Sequence, residues 1–381
     1  MKKLEMQRIV SSALPEVASY IHNWQGDQGE NLSIEYLESY LHWLLLENPL
    51  HTDALQHGHC VRDGAGIIRG LNLNFPSAFL AGDQRLLALC SANFLVEPEA
   101  KGSGLFLFMR YLGSPGYRFF FATTCNANSS PIWARMRGVQ SPNSEIEYIL
   151  PLKLDSVLPA LLMQRTSNRL VSGIARTVGV CANPIMHVLA RNSRRLTTEP
   201  CLDWEKLSEL FQRHRPSNLI TTERSAAFLR WRYGLTSPNH DSDIYVFRDR
   251  CGNEGWFSLA NIFRGRNREI RGCVVLDVVW PREKIRFRDI VSAILQRVPE
   301  ATDAVFFGPR PGLDYAECRQ WITPRKREAP AVWAVGRKGG ESLDVSLLDL
   351  VIADGDSACW FPHQSDRPSP LERLSSAIGM V

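Results

Sequence analysis

Two glycines and a lysine interrupt an otherwise apolar stretch, VEPEAKGSGLFLFMRYL, from Val96 to Leu112. The run before it is strand-like and the run after it helix-like, so Lys101-Gly102-Ser103-Gly104 stands where a strand becomes a helix. A tight turn needs one glycine. Two of them beside a lysine suit a loop whose amides approach an anion at a helix N-terminus, with the dipole behind them and Lys101 adding charge. The stretch is not a P-loop, because GxxxxGK[ST] is absent. Nor is it a dinucleotide fingerprint, because the third glycine and the downstream acid are missing. In isolation KGSG reads as a plain turn, so its surroundings must decide its use.

Groups able to move a proton are scattered around it. Glu97, Glu99 and Glu147 are candidate bases, together with His57 and His59. Each reads equally well as an ordinary surface residue. His57-Gly58-His59 has no matching third ligand set, so no metal is expected. Asp354-Gly355-Asp356 is too short for a calcium loop and reads as a turn. Cys125 reads as a small buried hydrophobe, since nothing near it in sequence lowers its pKa.

The elements that must position these groups repeat. From Ile34 to Lys153 the order is a helix ended by Asn48-Pro49, short strands, the buried strand RLLALCSANFLV, the glycine loop, a helix, a strand, a short helix and the closing strand SEIEYILPL. From Asp203 to Phe361 a similar order returns, with a hairpin at RCGNEG and a buried strand CVVLDVVW. Between them runs a segment with no acid from Ser156 to Thr198 and arginines at 165, 169, 176, 191, 194 and 195. It reads as a basic amphipathic connector that packs between domains, with a membrane-surface helix as the alternative. The fold class expected is α/β (α+β, mixed sheet). Two tandem domains, 1–155 and 201–381, flank the connector 156–200, each a central mixed sheet between helices.

Composition limits the rest. The 381 residues are 44% hydrophobic and 22% charged, enough for a core without disulfides or metals. Nine scattered cysteines without a CxxC pair fit a reducing compartment. No apolar run reaches the length of a membrane span, and Glu5 and Arg8 break any signal-like core, so a cytoplasmic location is expected.

A strand ending in V-x-P, then a basic residue, then G-x-G and an apolar helix resembles the acyl-CoA loop of the GNAT acyltransferases. Lys101, Gly102 and Gly104 stand at the arginine and glycines of the family's RGxG form, and Phe106 at its last small position. The resemblance implies that amides from Gly102 through Ser103, Gly104 and Leu105 to Phe106 hold a pyrophosphate. It also implies that the strand edge at Phe94, Leu95 and Val96 pairs with the pantetheine arm of acetyl-CoA or another acyl-CoA. Asn126 or Asn128 matches the asparagine after the next strand, with helix capping by these or by Ser129 or Ser130 as the alternative. FLRWRYGLTSP (Phe228–Pro238) and LLDLVIADGDSACWF look like signatures of bacterial two-domain GNAT-like proteins linked to exopolysaccharide or cell-envelope synthesis. Those proteins are distantly similar to the peptidoglycan-bridge aminoacyltransferases.

Two departures matter. WPREKIRFR in the second pass has no glycine, so a single cofactor site is expected, in the first domain. The family's acid tyrosine would fall near Ala134 and is absent, with Tyr148 or Tyr117 as candidate substitutes. The implied function is N-acyl transfer to a small amine, an amino sugar or an envelope precursor. The alternatives are an aminoacyl-tRNA-dependent transferase, which would take tRNA as partner through the arginine-rich connector, and a non-catalytic scaffold. Oligomeric state carries no signal in the sequence.

Overall fold

A computed structural model describes residues 4–26, 32–52, 55–163, 195–234, 237, 242–264, 270–308, 315–318, 322–337 and 344–356. The central part of the connector and the chain beyond Asp356, including the expected strand end at Phe361, lie outside the described residues.

The first half contains β1 (Glu5–Arg8), α1 (Leu14–Gly26), α2 (Ile34–Leu45), β2 (Gly58–Arg62), β3 (Ile68–Ala81) and β4 (Gln84–Val96). A 3-10 turn (Pro98–Ser103) then leads into α3 (Gly104–Leu112), β5 (Phe119–Ala122), α4 (Ser130–Arg135), β6 (Val139–Gln140), β7 (Ile146–Pro151) and α5 (Leu154–Met163). The second half runs β8 (Thr197–Pro200), α6 (Trp204–His214), β9 (Ile220–Thr222), α7 (Ala226–Tyr233), β10 (Asp243–Arg248), β11 (Glu254–Arg264) and β12 (Ile270–Val279). It continues with α8 (Phe287–Leu295), β13 (Ala304–Phe307), β14 (Thr323–Lys326), β15 (Trp333–Gly336) and β16 (Leu348–Asp349).

The strands form two mixed sheets flanked by helices. One has the order β1-β2-β3-β4-β5-β15-β6, with β9 on the far end of β3 and β16 on β9; the other has the order β14-β7-β13-β12-β11-β10-β8. Each contains a parallel pair joined through a helix, β4-α3-β5 and β12-α8-β13, and the first has a further parallel pair, β9 with β16. The repeated order of elements seen in sequence is therefore a repeated topology.

The sheets do not divide where the expected boundaries fall. SEIEYILPL, read as the closing strand of the first domain, is β7 and pairs with β13 and β14 of the second sheet. In return β15, from the second half, sits between β5 and β6 of the first sheet, and β9 and β16 extend it. The halves 1–155 and 201–381 exchange strands.

Alternation within strands explains the packing. Phe119 and Phe121 face a core shared by both sheets, in company with Phe75, Phe79, Ile149, Val274 and Phe306. Phe120 faces the outer layer under α3 and α4, whereas Val305 and Phe307 face the layer under α8. A strand buried on both faces needs apolar residues at every position, which is why FFFA lacks alternation. Each such phenylalanine contributes on the order of 1.5–3 kcal/mol by leaving water.

The FLRWRYG motif closes this core. Trp231 of α7 stacks on Trp43 of α2 with centroids 5.0 Å apart. Each indole donates to the other's backbone: Trp43 Nε1 to Trp231 O at 2.7 Å and Trp231 Nε1 to Trp43 O at 2.9 Å. The buried Arg232 guanidinium lies 5.3 Å from both rings. Among the described residues no helix is long and apolar enough to cross a membrane.

Candidate active site

β4 and β5 pair in parallel only at Ala88–Phe119, Leu89–Phe120 and Cys90–Phe121. Beyond Cys90 they part. β4 stays with β3 as far as Val96, while β5 ends at Ala122. No strand among the described residues pairs with the other edge of β4 from Asn93 to Val96, so its main-chain groups border an opening. The register between β3 and β4 slips between Leu71 and Leu73, and Asn93 there has φ 47°. Asparagine is among the few residues that tolerate this left-handed conformation in a bulge. The bulge turns the Asn93 amide toward the opening. It was not anticipated from the sequence, although an asparagine inside an apolar strand is a signal for one.

What that amide meets is Asp356. The Asn93 N–H points at Asp356 Oδ2 at 3.4 Å, and Thr124 Oγ1 donates to Asp356 Oδ1 at 2.8 Å. The segment Asp354–Asp356, read from sequence as a turn, threads between the sheets with both carboxylates buried. Arg232 donates to the Gly355 carbonyl, and Tyr40 OH donates to Asp356 O at 3.2 Å. Arg224 holds Asp354 at 2.8 Å and Asp277 at 2.7 Å. Burial pushes both Asp354 and Asp356 above the usual carboxylate range, Arg224 opposing it at Asp354 and the Thr124 hydroxyl at Asp356. Burial also opposes the charge on Arg224, but Asp277 and Asp354 hold its guanidinium above its ordinary value.

The backbone comes so close here that only glycine fits. A Cβ on Gly355 would lie 1.5 Å from Thr123 Oγ1. Gly355→Ala is expected to displace the segment and lower stability by about 1–3 kcal/mol, seen as a lower denaturant midpoint.

The residues expected to bind acyl-CoA fall into two places. Phe94, Val96 and Gly104 meet: a Cβ on Gly104 would lie 3.5 Å from Phe94 Cζ and 3.6 Å from Val96 Cγ2. Leu95 points to the opposite face and packs on the shared core. Lys101 and Gly102 are exposed, as are Leu105 and Phe106 on the first turn of α3. The loop is more tightly wound than expected. Ser103 Oγ donates to Ala100 O at 2.7 Å, and the Gly104 amide donates to Lys101 O, so that amide is already engaged. Asn126 lies across the opening, beyond β5, where its Oδ1 accepts from the amides of Asn128 at 2.9 Å and Ser129 at 3.1 Å. These bonds make an Asx turn ahead of α4, whose N-cap is Ser129 and has no side-chain cap hydrogen bond.

The weak catalytic candidates separate. Glu97 is paired with Arg69 at 3.0 Å, beyond the bulge. Glu147 and Tyr148 are neighbours on β7 and so face opposite sides. Tyr148 stacks on Tyr315 at 3.8 Å under the second sheet, away from the opening. Tyr117 is buried in the outer layer, and burial raises its phenol. His57 bonds with Ser11 Oγ at 3.2 Å and stacks on His51, two strands from the opening, and burial lowers it. Burial lowers His59 as well. Among the described residues no group of His, Cys, Asp and Glu is placed to hold a metal.

Glu147 faces a cavity of about 280 Å³ between the sheets. Its walls come from Thr123, Thr124, Cys125 and Asn126 after β5, and from Glu147, Arg264, Phe306, Arg327 and Leu350. Thr124 thus belongs both to the cavity wall and to the hydrogen bond on Asp356. Burial pushes the Cys125 thiol up to about 12, which leaves it a neutral apolar group. The matching turn of the second sheet is filled rather than open. Trp280, Ile285 and Phe287 are buried there, and Arg282 lies 5.0 Å over the Trp280 ring.

The overall arrangement of sheets and helices occurs in solved structures similar to this one. A conserved protein of unknown function from Enterococcus faecalis, described as a probable N-acyltransferase, superposes with a TM-score of 0.57 at 10% identity, over 89% of this chain and 73% of that one. A GCN5-related N-acetyltransferase from Anabaena variabilis gives 0.53 at 12% identity, over 87% and 72%. The Saccharomyces cerevisiae N-myristoyltransferase with bound myristoyl-CoA and inhibitors gives 0.54 at 10% identity, over 96% and 87%. The chain has the GNAT fold. No family model and no curated protein sequence matches it. At these identities the GNAT likeness concerns architecture. The chemistry must be argued from the residues at the opening.

Proposed function

We propose that the protein is an acyl-CoA-dependent N-acyltransferase whose acyl donor lies in the opening between β4 and β5. The observation that carries this reading is the parting of those strands at the Asn93 bulge, next to the KGSG turn and in line with a buried carboxylate. The edge of β4 from Asn93 to Val96 suits an extended amide-bearing arm, which can pair with it as another strand. Lys101 and the space above Gly102, where a Cβ would meet nothing within 4 Å, suit a pyrophosphate. The thioester supplies an activated acyl group, and a C–N bond to the amine replaces its C–S bond.

Asp356 is the group placed to take the proton that the amine must lose. It is buried, held by the Thr124 hydroxyl, and more basic than an ordinary aspartate. The acceptor we favour is a small amine, an amino sugar or an envelope precursor. The aminoacyl-tRNA alternative draws on the arginine-rich connector, most of which lies outside the described residues, and no described residue favours it.

Calorimetry with acetyl-CoA and longer acyl-CoA thioesters tests the reading. Binding to the wild type is expected, and Gly104→Trp, which drives an indole into Phe94 and Val96, is expected to abolish it with the fold retained. A wild type that binds no acyl-CoA would falsify the proposal.

A further inference from the structure

The charge lining the cavity is unbalanced. Glu147 faces it from β7, held by Arg264 at 3.4 Å and by Arg325 of β14 at 3.8 Å. Arg264 is fixed in turn over the Phe306 ring, 5.6 Å from its centroid. Arg327 completes the wall two residues beyond Arg325. Among the described residues, its guanidinium has neither an ion pair nor a hydrogen bond. Of the charged groups that line the cavity, the Arg264 and Arg327 guanidiniums face the single carboxylate of Glu147, which leaves one positive charge in excess. Desolvation lowers the Arg327 guanidinium from its ordinary value, and Arg264 and Arg325 add to this against the pull of Glu147. Arg264 and Arg327 are both exposed at the cavity, so two guanidinium forks are open to an incoming anion. On the opposite wall lies Thr124, and behind it Asp356.

We propose that the acceptor is a small amine that also carries an anionic group, a phosphate or a carboxylate, seated in this cavity with the anion on Arg327 and Arg264 and the amine toward Thr124. This rests on the acyltransferase reading for the use of the amine, but not for the anion site. The cavity volume lies near the lower end of ordinary ligand sites, roughly 300–1,000 Å³, which fits a metabolite rather than a polymer. Guanidinium forks bind the oxygens of phosphate and carboxylate in the same way, so experiment must separate the two.

Matched probes do so on the full chain. The phosphate pair is 2-aminoethyl phosphate and ethanolamine; the carboxylate pair is β-alanine and propylamine. In calorimetric titrations the member of at least one pair that carries the anionic group is expected to bind about ten-fold or more tighter than the partner that lacks it. The pair with the larger ratio identifies the anion. Arg327→Gln is expected to bring that ratio close to one, and Arg264→Gln to reduce it; both positions border solvent, so the fold should survive. Equal binding within both pairs, a preference that survives both substitutions, or no binding of either anionic probe at millimolar concentration overturns the proposal. Titration of acyl-CoA on the same samples separates the two readings. Acyl-CoA binding without an anion preference removes only the inference, and an anion preference without acyl-CoA binding removes only the acyltransferase.

Discussion

Asp356→Asn is expected to leave acyl-CoA binding intact and to lower turnover on amines by about 10²- to 10⁴-fold, the usual worth of a positioned acid–base group. The substitution keeps the size of the side chain and an oxygen for Thr124, so a loss of turnover reports the lost basicity rather than a lost fold. The pH profile carries a second signature. Burial raises the folded-state pKa of Asp356, and a base must be ionised to act. The acid limb of kcat/KM should therefore lie above the ordinary aspartate value of about 3.9. Activity should rise with pH through that raised value, and the limb should disappear in the asparagine variant.

Stability moves in the opposite direction. The folded state binds the Asp356 proton more tightly than the unfolded chain, so stability falls as pH rises from the unfolded value to the folded one. Asp356→Asn should flatten that part of the stability curve. A variant with wild-type turnover and an unchanged acid limb would remove Asp356 from the mechanism.

Arg224→Met should produce the largest loss of stability, roughly 3–5 kcal/mol, because it removes the guanidinium that two buried carboxylates share. Asp277 and Asp354 both depend on this guanidinium, and Arg224 and its two partners are all buried. Denaturant unfolding reads the loss directly. Neutralising the two carboxylates, with Asp277→Asn and Asp354→Asn added to Arg224→Met, should recover much of it, because the penalty lies in buried charge rather than in missing contacts. The stability of Arg224→Met alone should also decline more steeply as pH rises above the ordinary carboxylate range, since burial opposes ionisation of Asp354 and the guanidinium that offsets it is gone. Loss of no more than about 1 kcal/mol would mean that the triad is worth no more than a surface pair.

The network matters beyond stability because Asp354 and Asp356 are two residues apart. Arg224 fixes one end of the segment to the second sheet; Thr124, Asn93 and Tyr40 fix the other end to the first. Arg232 holds the carbonyl between them. The proposed base is thus positioned from both sheets.

The sequence by itself determined what local periodicity and turn chemistry can encode. RLLALCSANFLV had to be a strand buried on both faces, and it is β4, between β3 and β5. KGSG had to mark the passage from that strand to a helix, and the order of elements had to repeat. The lack of glycine in WPREKIRFR pointed to a filled turn, and the structure fills it with Trp280, Ile285 and Phe287. Cys125 was legible as a buried thiol.

Only the tertiary structure decided which sheet each strand joins. An apolar strand such as β7 or β15 satisfies either sheet equally, so nothing within SEIEYILPL or AVWAVG names a partner nearly two hundred residues away. The same holds for Asp354-Gly355-Asp356. A short run of polar residues and glycine looks like a turn until Arg224, Arg232 and Thr124 converge on it from two distant parts of the chain. Those partners make burial of its charges affordable, and pairing between distant residues leaves no trace in local spacing.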